Sequence, residues 1–296
     1  MTEAEARARA IAMFREATPE AVDAPIEEYR QGFEDMADKI PLPADLAIEQ
    51  IEIEGVPCYK VTAPGAQADR LVVHFHSGGY VMGSARAYRE FGGRLSAATK
   101  APVILPDYRL APEHPYPAPV EDGLKVYQWC VSNHPPEKFL LSGDSAGGGL
   151  CIATLMNARD RGLPLPCGAI GIAPLTDLAG EGNSANIDTD PLIQQDLIVG
   201  MGKVYIGDLD PKKEPLASPL WGDHRGLPPI LLIASSTEAL RDDSVRLAVS
   251  IGEARGKVRL SLHDDLVHIW TFFPFLEATR EAMDEVANFA EARFAK

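Results

Sequence analysis

The chain has 296 residues, 46% of them hydrophobic and 24% charged, and a formal net charge of −15. That balance describes a globular domain with ample core, and the negative surplus argues against nucleic acid or an anionic membrane surface as a partner. No run approaches the roughly 18 continuous apolar residues that cross a bilayer, and the first 16 residues mix Ala with Glu and Arg rather than forming the apolar centre of a signal peptide. Cytoplasmic residence is the resulting expectation.

Residues 2–17 and 25–40 carry apolar residues at helical spacing and predict two amphipathic helices, broken at Thr18-Pro19. Residues 48–61 alternate apolar and polar around Gly55, the pattern of an antiparallel strand pair. Short apolar runs of strand type follow at 71–75, 103–105, 139–141, 169–172, 230–234 and 258–262. Between them lie helical patterns at 85–99, 119–132, 146–161, 243–254 and 271–293. Such alternation predicts an α/β fold, with a mostly parallel sheet flanked by helices on both faces. With no repeat or flexible linker, one domain is expected over residues 1–296. The polar, Gly- and Pro-punctuated stretch 180–219 interrupts the alternation around a helix at 192–205, which places it outside the sheet. The four cysteines, Cys58, Cys130, Cys151 and Cys167, show no close pairing and no adjacent histidine. They read as free thiols rather than a metal site.

Gly143-Asp144-Ser145-Ala146-Gly147 has the form G-x-S-x-G, entered by a buried strand and left by a helix. A turn this tight needs small residues beside the serine, and its strain aims the hydroxyl outward. The helix that follows turns its positive end toward the same place. The bland alternative, a glycine-rich strand–helix turn, does not explain the loop upstream. There the strand at 71–75 ends in His76-Ser77-Gly78-Gly79-Tyr80. Acyl transfer builds negative charge on a carbonyl oxygen, and fixed backbone N–H groups stabilise it. Gly78, Gly79 and Ala146 are the candidate donors for such an oxyanion hole, with Ser145 the candidate nucleophile.

A serine hydroxyl needs a base that titrates near neutrality. Of seven histidines, His268 lies in the loop between the last strand and the last helix, where the base follows a serine elbow of this kind. His263 belongs to the strand end and reads as packed or exposed. The acid should leave the preceding strand. Glu238 falls in that loop, while Asp242 and Asp243 open the next helix, where capping is the simpler role. Glu238 is therefore the expected acid, with Asp242 the alternative.

At these residues the chain resembles the hormone-sensitive-lipase family of bacterial carboxylesterases, which have the α/β-hydrolase fold, from about Leu71 to the C-terminus. The family's HGGG appears as His76-Ser77-Gly78-Gly79 and its YRLAPEHPFP segment as residues 108–117. Its GDSAG is intact, its DPLRD appears as Glu238-Ala239-Leu240-Arg241-Asp242, and its HGF as His268-Ile269-Trp270. Ser77 stands for a glycine that is not usually an oxyanion donor in the family. Glu238 stands for the usual aspartate, and Ile269 with Trp270 is expected to narrow the acyl pocket. The resemblance implies a serine carboxylesterase for short-acyl, small-molecule esters, without a cofactor and often a homodimer. It also implies a helical cap from about residues 1–40 and 185–215, a loop-holding role for His76, and buried polar contacts of Asp107 and Arg109 under the oxyanion loop.

Two other readings share the motifs. Lactone, amide or carbamate cleavage, or deacetylation of a natural product, would use the same groups. A ligand-binding receptor on this scaffold usually lacks the serine or the histidine, whereas this chain keeps candidates for all three roles. Long-chain lipase action fits poorly with the charges on the first two helices (Glu3, Glu5, Arg7, Arg9, Glu27, Glu28, Arg30).

Overall fold

The structure, a computed structural model, describes residues 1–19, 24–186 and 190–295. Among the described residues, eight strands form one sheet. They are β1 (Ala47–Ile53), β2 (Val56–Thr62), β3 (Leu71–Phe75), β4 (Val103–Pro106), β5 (Phe139–Asp144), β6 (Gly168–Ile172), β7 (Ile230–Ser235) and β8 (Val258–His263), in the order β1-β2-β4-β3-β5-β6-β7-β8. The first three in that order pair antiparallel and the rest parallel. β3 to β7 are buried along their length, as continuous apolar runs in a covered parallel sheet should be. β1 and β8, the two edges, are largely accessible.

Side chains alternate across the sheet and build two cores. Val73, Phe75 and Leu141 point to one face, and Val72, Leu140 and Ile233 to the other. The first face is covered by α4 (Ala118–Asn133), α5 (Ala146–Asp160) and α7 (Arg241–Glu253). The second is covered by α3 (Arg89–Thr99) and α8 (Glu277–Phe294). α1 (Glu3–Ala17) and α2 (Ile26–Asp38) add Ala6, Ala10, Met13, Phe33 and Met36 to that second core. α1 starts at a capping box in which Thr2 accepts from the Glu5 N–H and donates its own N–H to the Glu5 carboxylate. α6 (Gln195–Ile206) lies off the sheet and sends Ile198 and Tyr205 into the first core. No helix among the described residues is long and apolar enough to cross a membrane.

Two helices begin later than their sequence patterns predict. The pattern at 85–99 becomes helical only at Arg89, because the Ala85 N–H is taken by Asp107 and the Ala87 N–H by Ser84. The pattern at 271–293 starts at Glu277, after a 3-10 turn (Trp270–Phe272) and Pro274, which has no N–H to give. All four cysteines are free, and burial pushes the Cys58 thiol up to about 12 and Cys167 to about 11. Residues 187–189, part of the expected covering segment, lie outside the described residues.

Ile233 on β7 is wholly buried, so Ile233→Ala should cost about 2–5 kcal/mol. Val249→Ala, at a side chain 55% exposed on α7, should stay within about 0.5 kcal/mol. Urea midpoints at unchanged slope check the pair.

Candidate active site

The parallel strands bring four loops to one edge of the sheet, at their carboxyl ends, on either side of the switch point where β3 meets β5. At the end of β5 the chain turns into α5 through Ser145, whose φ of 51° and ψ of −122° lie outside the usual regions for an L-residue. Neighbouring backbone leaves no room for side chains at the flanking glycines. A Cβ on Gly143 would stand 2.1 Å from the Gly147 carbonyl oxygen, and one on Gly147 would stand 2.0 Å from that of Phe75. Both sides of the serine must therefore be bare.

The loops after β7 and β8 complete the arrangement. The Ser145 hydroxyl and His268 Nε2 are 2.9 Å apart, and His268 Nδ1 is 2.6 Å from Glu238 Oε2. The other Glu238 oxygen accepts the Ser235 N–H at 2.6 Å, so the carboxylate is fixed at both ends. Ser145 is 7% exposed, and His268 and Glu238 are more deeply buried. Burial opposes charge on the His268 ring, but the hydrogen bond and the negative charge of Glu238 outweigh it. Asp190 and Asp144 add to that field, and the imidazole pKa rises above its ordinary value. Burial also pushes the Glu238 carboxyl up, and His268 pulls it back.

The glycine loop after β3 lies alongside. Gly78 and Gly79 have φ of 124° and 62°, conformations that side chains disfavour. Among the described residues, no acceptor is paired with the backbone N–H groups of Gly78, Gly79 or Ala146. Ala146 is the first residue of α5, where no preceding carbonyl is available to its N–H. His76 sits under this loop: Nδ1 donates to the Ser77 carbonyl at 2.7 Å, and the ring stacks on Tyr108 with centroids 4.2 Å apart. Tyr108 donates its hydroxyl to the His76 carbonyl at 2.8 Å.

Comparison with known proteins bears on the fold and the family. A family described as alpha/beta hydrolase fold matches residues 72–272. An acetyl-hydrolase of Streptomyces hygroscopicus is 36% identical over 230 residues, covering 76% of this chain and 77% of that protein. A solved esterase of the bacterial hormone-sensitive lipase family superposes with a TM-score of 0.95 at 35% identity, over 99% of this chain and 100% of that one. The chain belongs to the α/β-hydrolase family, in its bacterial hormone-sensitive-lipase branch. Another solved structure, of EstE5 soaked by p-nitrophenyl butyrate, matches with a TM-score of 0.92 at 36% identity, over 98% of this chain and 99% of that one.

Within this hydrolase the expected residues meet, with three adjustments around them. Asp242 does not reach His268; it accepts the Ser184 N–H and pairs with Arg241. Asp107 is exposed and binds the Ala85 N–H, while Arg109 is held by Asp122 and Glu121 at the start of α4. It is Tyr108, between them, that reaches under the glycine loop. Ile269 and Trp270, expected to narrow the acyl pocket, are both buried in the core shared with α3 and α8. His263 is packed, with Nε2 3.1 Å from Glu285.

Residues that the motifs did not indicate also belong to this region. Asp190 accepts the N–H groups of Leu192 and Ile193 on one oxygen and that of Ala239 on the other, which ties the segment entering α6 to the Glu238 loop. Met201 of α6 lies over Gly79, where an added Cβ would meet its sulfur at 2.1 Å. Only the Asp190-Pro191 pair, a polar residue opening a turn, offers a sequence signal for either.

The clashes at the two glycines differ in kind. Gly147→Ala meets backbone and should sharply lower the melting temperature. Gly79→Ala meets only the end of a flexible side chain, apart from its positive φ, and should lower it much less. Thermal melts of the two variants check the order.

Proposed function

We propose that this hydrolase is a serine carboxylesterase for short-acyl esters, acting through Ser145, His268 and Glu238. The observation that carries the reading is the unbroken line from the Ser145 hydroxyl through both ring nitrogens of His268 to a buried carboxylate. Ser145 Oγ attacks the ester carbonyl carbon as His268 Nε2 takes its proton. Glu238 keeps the Nδ1 proton in place and stabilises the imidazolium. The carbonyl oxygen becomes an oxyanion facing the N–H groups of Gly78, Gly79 and Ala146, at the positive end of α5. Collapse expels the alcohol, which leaves with the proton from His268. Water, deprotonated by the same ring, attacks the acyl carbon; the bond to Ser145 Oγ breaks, His268 returns the proton to that oxygen, and the acid leaves.

The limit to short acyl chains rests on what covers the site. We assign a cap to residues 1–40 and 185–215, of which 20–23 and 187–189 lie outside the described residues. Arg30 of α2 donates to the carbonyls of Val81 and Ala111 at 2.8 and 3.0 Å. Arg7 of α1 pairs with Asp265, three residues before His268. Met201 fills the space over Gly79. Two similar proteins, an acetyl-hydrolase and EstE5 soaked by p-nitrophenyl butyrate, fit a small acyl group.

Ser145→Ala should remove p-nitrophenyl acetate hydrolysis by about 10⁴-fold or more and abolish labelling by a fluorophosphonate, with the fold intact by circular dichroism. Turnover near the parent rate would refute the nucleophile. Across p-nitrophenyl esters, kcat/KM should fall beyond butanoyl; a profile that rises to decanoyl would refute the short-acyl limit.

The base must be neutral to accept a proton. Because the His268 pKa is raised, activity is lost as pH falls through a value above that of an ordinary imidazole. Glu238→Gln removes the charge that raises it, so the acid limb of kcat/KM should move to lower pH while its plateau drops about 10⁴-fold. Asp242→Asn should leave the limb where it is. An unmoved limb in Glu238→Gln would rule Glu238 out as the acid.

A further inference from the structure

Beneath Ser145 runs a line of buried polar side chains that the reaction above does not use. Tyr88 stands at the start of α3, its ring packed among Phe33, Phe91 and Phe272. Its hydroxyl is 2.5 Å from Asp144 Oδ2 and 2.6 Å from Ser77 Oγ. The other Asp144 oxygen is 3.2 Å from His74 Nε2, and His74 Nδ1 is 3.0 Å from Ser142 Oγ. All five side chains are almost wholly buried. A phenol has one proton, and the carboxylate is the stronger acceptor. Tyr88 therefore donates to Asp144, and the Ser77 hydroxyl donates to the Tyr88 oxygen. Burial beside Asp144 holds the phenol well above its usual pKa, so the proton stays in place.

The two ends of this line are informative. Asp144 immediately precedes Ser145, and Ser77 immediately precedes Gly78. The proposed oxyanion donors come from two separate pieces of chain, the glycine loop and the first residue of α5. Their spacing decides whether all three N–H groups converge on one oxygen. From this placement we infer that Tyr88 and Ser77 are positioning residues, forming a clamp that registers the oxyanion loop against the serine elbow. The inference rests on the esterase reading and extends it. Ser77 is thus more than a tolerated replacement for glycine, because it gives Tyr88 something to hold. The His76 bond to the Ser77 carbonyl secures the same residue from its other side.

The test uses Tyr88→Phe, Ser77→Ala and the double variant. Competent sites are counted by fluorophosphonate titration before kcat and KM are measured on p-nitrophenyl acetate. Tyr88→Phe keeps the ring and loses the bridge, and kcat per titrated site should fall about 10- to 100-fold with KM little changed. Ser77→Ala leaves the Tyr88–Asp144 bond intact and should fall in the same direction. The double variant should be no worse than Tyr88→Phe, because one line is cut twice. Affinity for an alkylboronic acid, whose adduct on the serine places an oxygen in the hole, should drop by the same factor as kcat/KM.

A merely structural role would lower the melting temperature or the number of titrated sites and leave kcat/KM per site within twofold of the parent. That result overturns the clamp, as do losses that multiply in the double variant. Should Tyr88→Phe fold poorly, Ser77→Ala decides alone. If Ser145→Ala keeps its rate, the esterase reading fails and the clamp falls with it. Parent turnover that depends on Ser145, combined with unchanged clamp variants, refutes the clamp only.

Discussion

Ser145 is held at a positive φ, where a non-glycine residue costs about 1–3 kcal/mol, and it persists there only because its surroundings over-determine it. Its N–H is bonded to the Ile172 carbonyl at 2.9 Å, which fastens the turn to β6. Its carbonyl accepts from Leu175 at 2.8 Å and from Gly149 at 3.0 Å, which fastens it to the loop after β6 and to α5. Gly143 and Gly147 let β5, α5 and the end of β3 close around it. α5 is buried along nearly its whole length, so it has no freedom to swing away and relieve the turn. The strain therefore appears as direction: the hydroxyl is held toward His268, 2.9 Å from its Nε2.

Around that turn the protein buries several carboxylates, each of which would be costly without partners. Asp243 of α7 accepts the N–H groups of Thr176 and Asp177 at 2.7 Å each, and burial still pushes its carboxyl up to about 7. Those N–H groups belong to the loop whose Leu175 binds Ser145, so Asp243 supports the elbow at one remove. Asp190 supports the Glu238 loop through Ala239 and at the same time closes the turn before α6. The segment entering α6 and the loop that carries Glu238 are thereby tied together by one side chain. Backbone N–H groups are well suited to this work, because they hold a carboxylate without neutralising the negative field that raises the His268 pKa.

Much of this was legible in the sequence, because it depends on local pattern. Continuous apolar runs marked the buried strands, and chain position pointed to the Gly-x-Ser-x-Gly turn, the glycine loop and Glu238 and His268, which the structure brings together with Ser145. The limits were equally physical. Ala85 to Tyr88 has helical composition, but Ser84 and Asp107 take the N–H groups that a helix would need. Asp107 and Arg109 were expected to make buried polar contacts under the oxyanion loop, but it is Tyr108 that is buried there, with Asp107 exposed and Arg109 half-buried. Met201, Asp190 and Tyr88 act across sequence separations of 49 to 122, and no spacing rule connects Met201 with Gly79 or Tyr88 with Asp144.

The departures from the family pattern share one feature: each is absorbed below the site rather than at its surface. The hydroxyl that Ser77 adds is directed down to Tyr88 and Asp144, leaving the Gly78 and Gly79 N–H groups unobstructed. The extra methylene of Glu238 is taken up by a return to its own strand, where one oxygen meets the Ser235 N–H while the other reaches His268. Ile269 adopts a left-handed conformation and turns Trp270 into the core, where its carbonyl accepts from Thr279. The following carbonyls, of Thr271 and Phe272, are bound by Arg94. Bulk that reads as obstruction in the sequence therefore becomes an anchor for the loop that carries His268. Over the glycine loop lies Met201 of α6, a side chain that takes no part in the hydrogen bonds linking Ser145, His268 and Glu238.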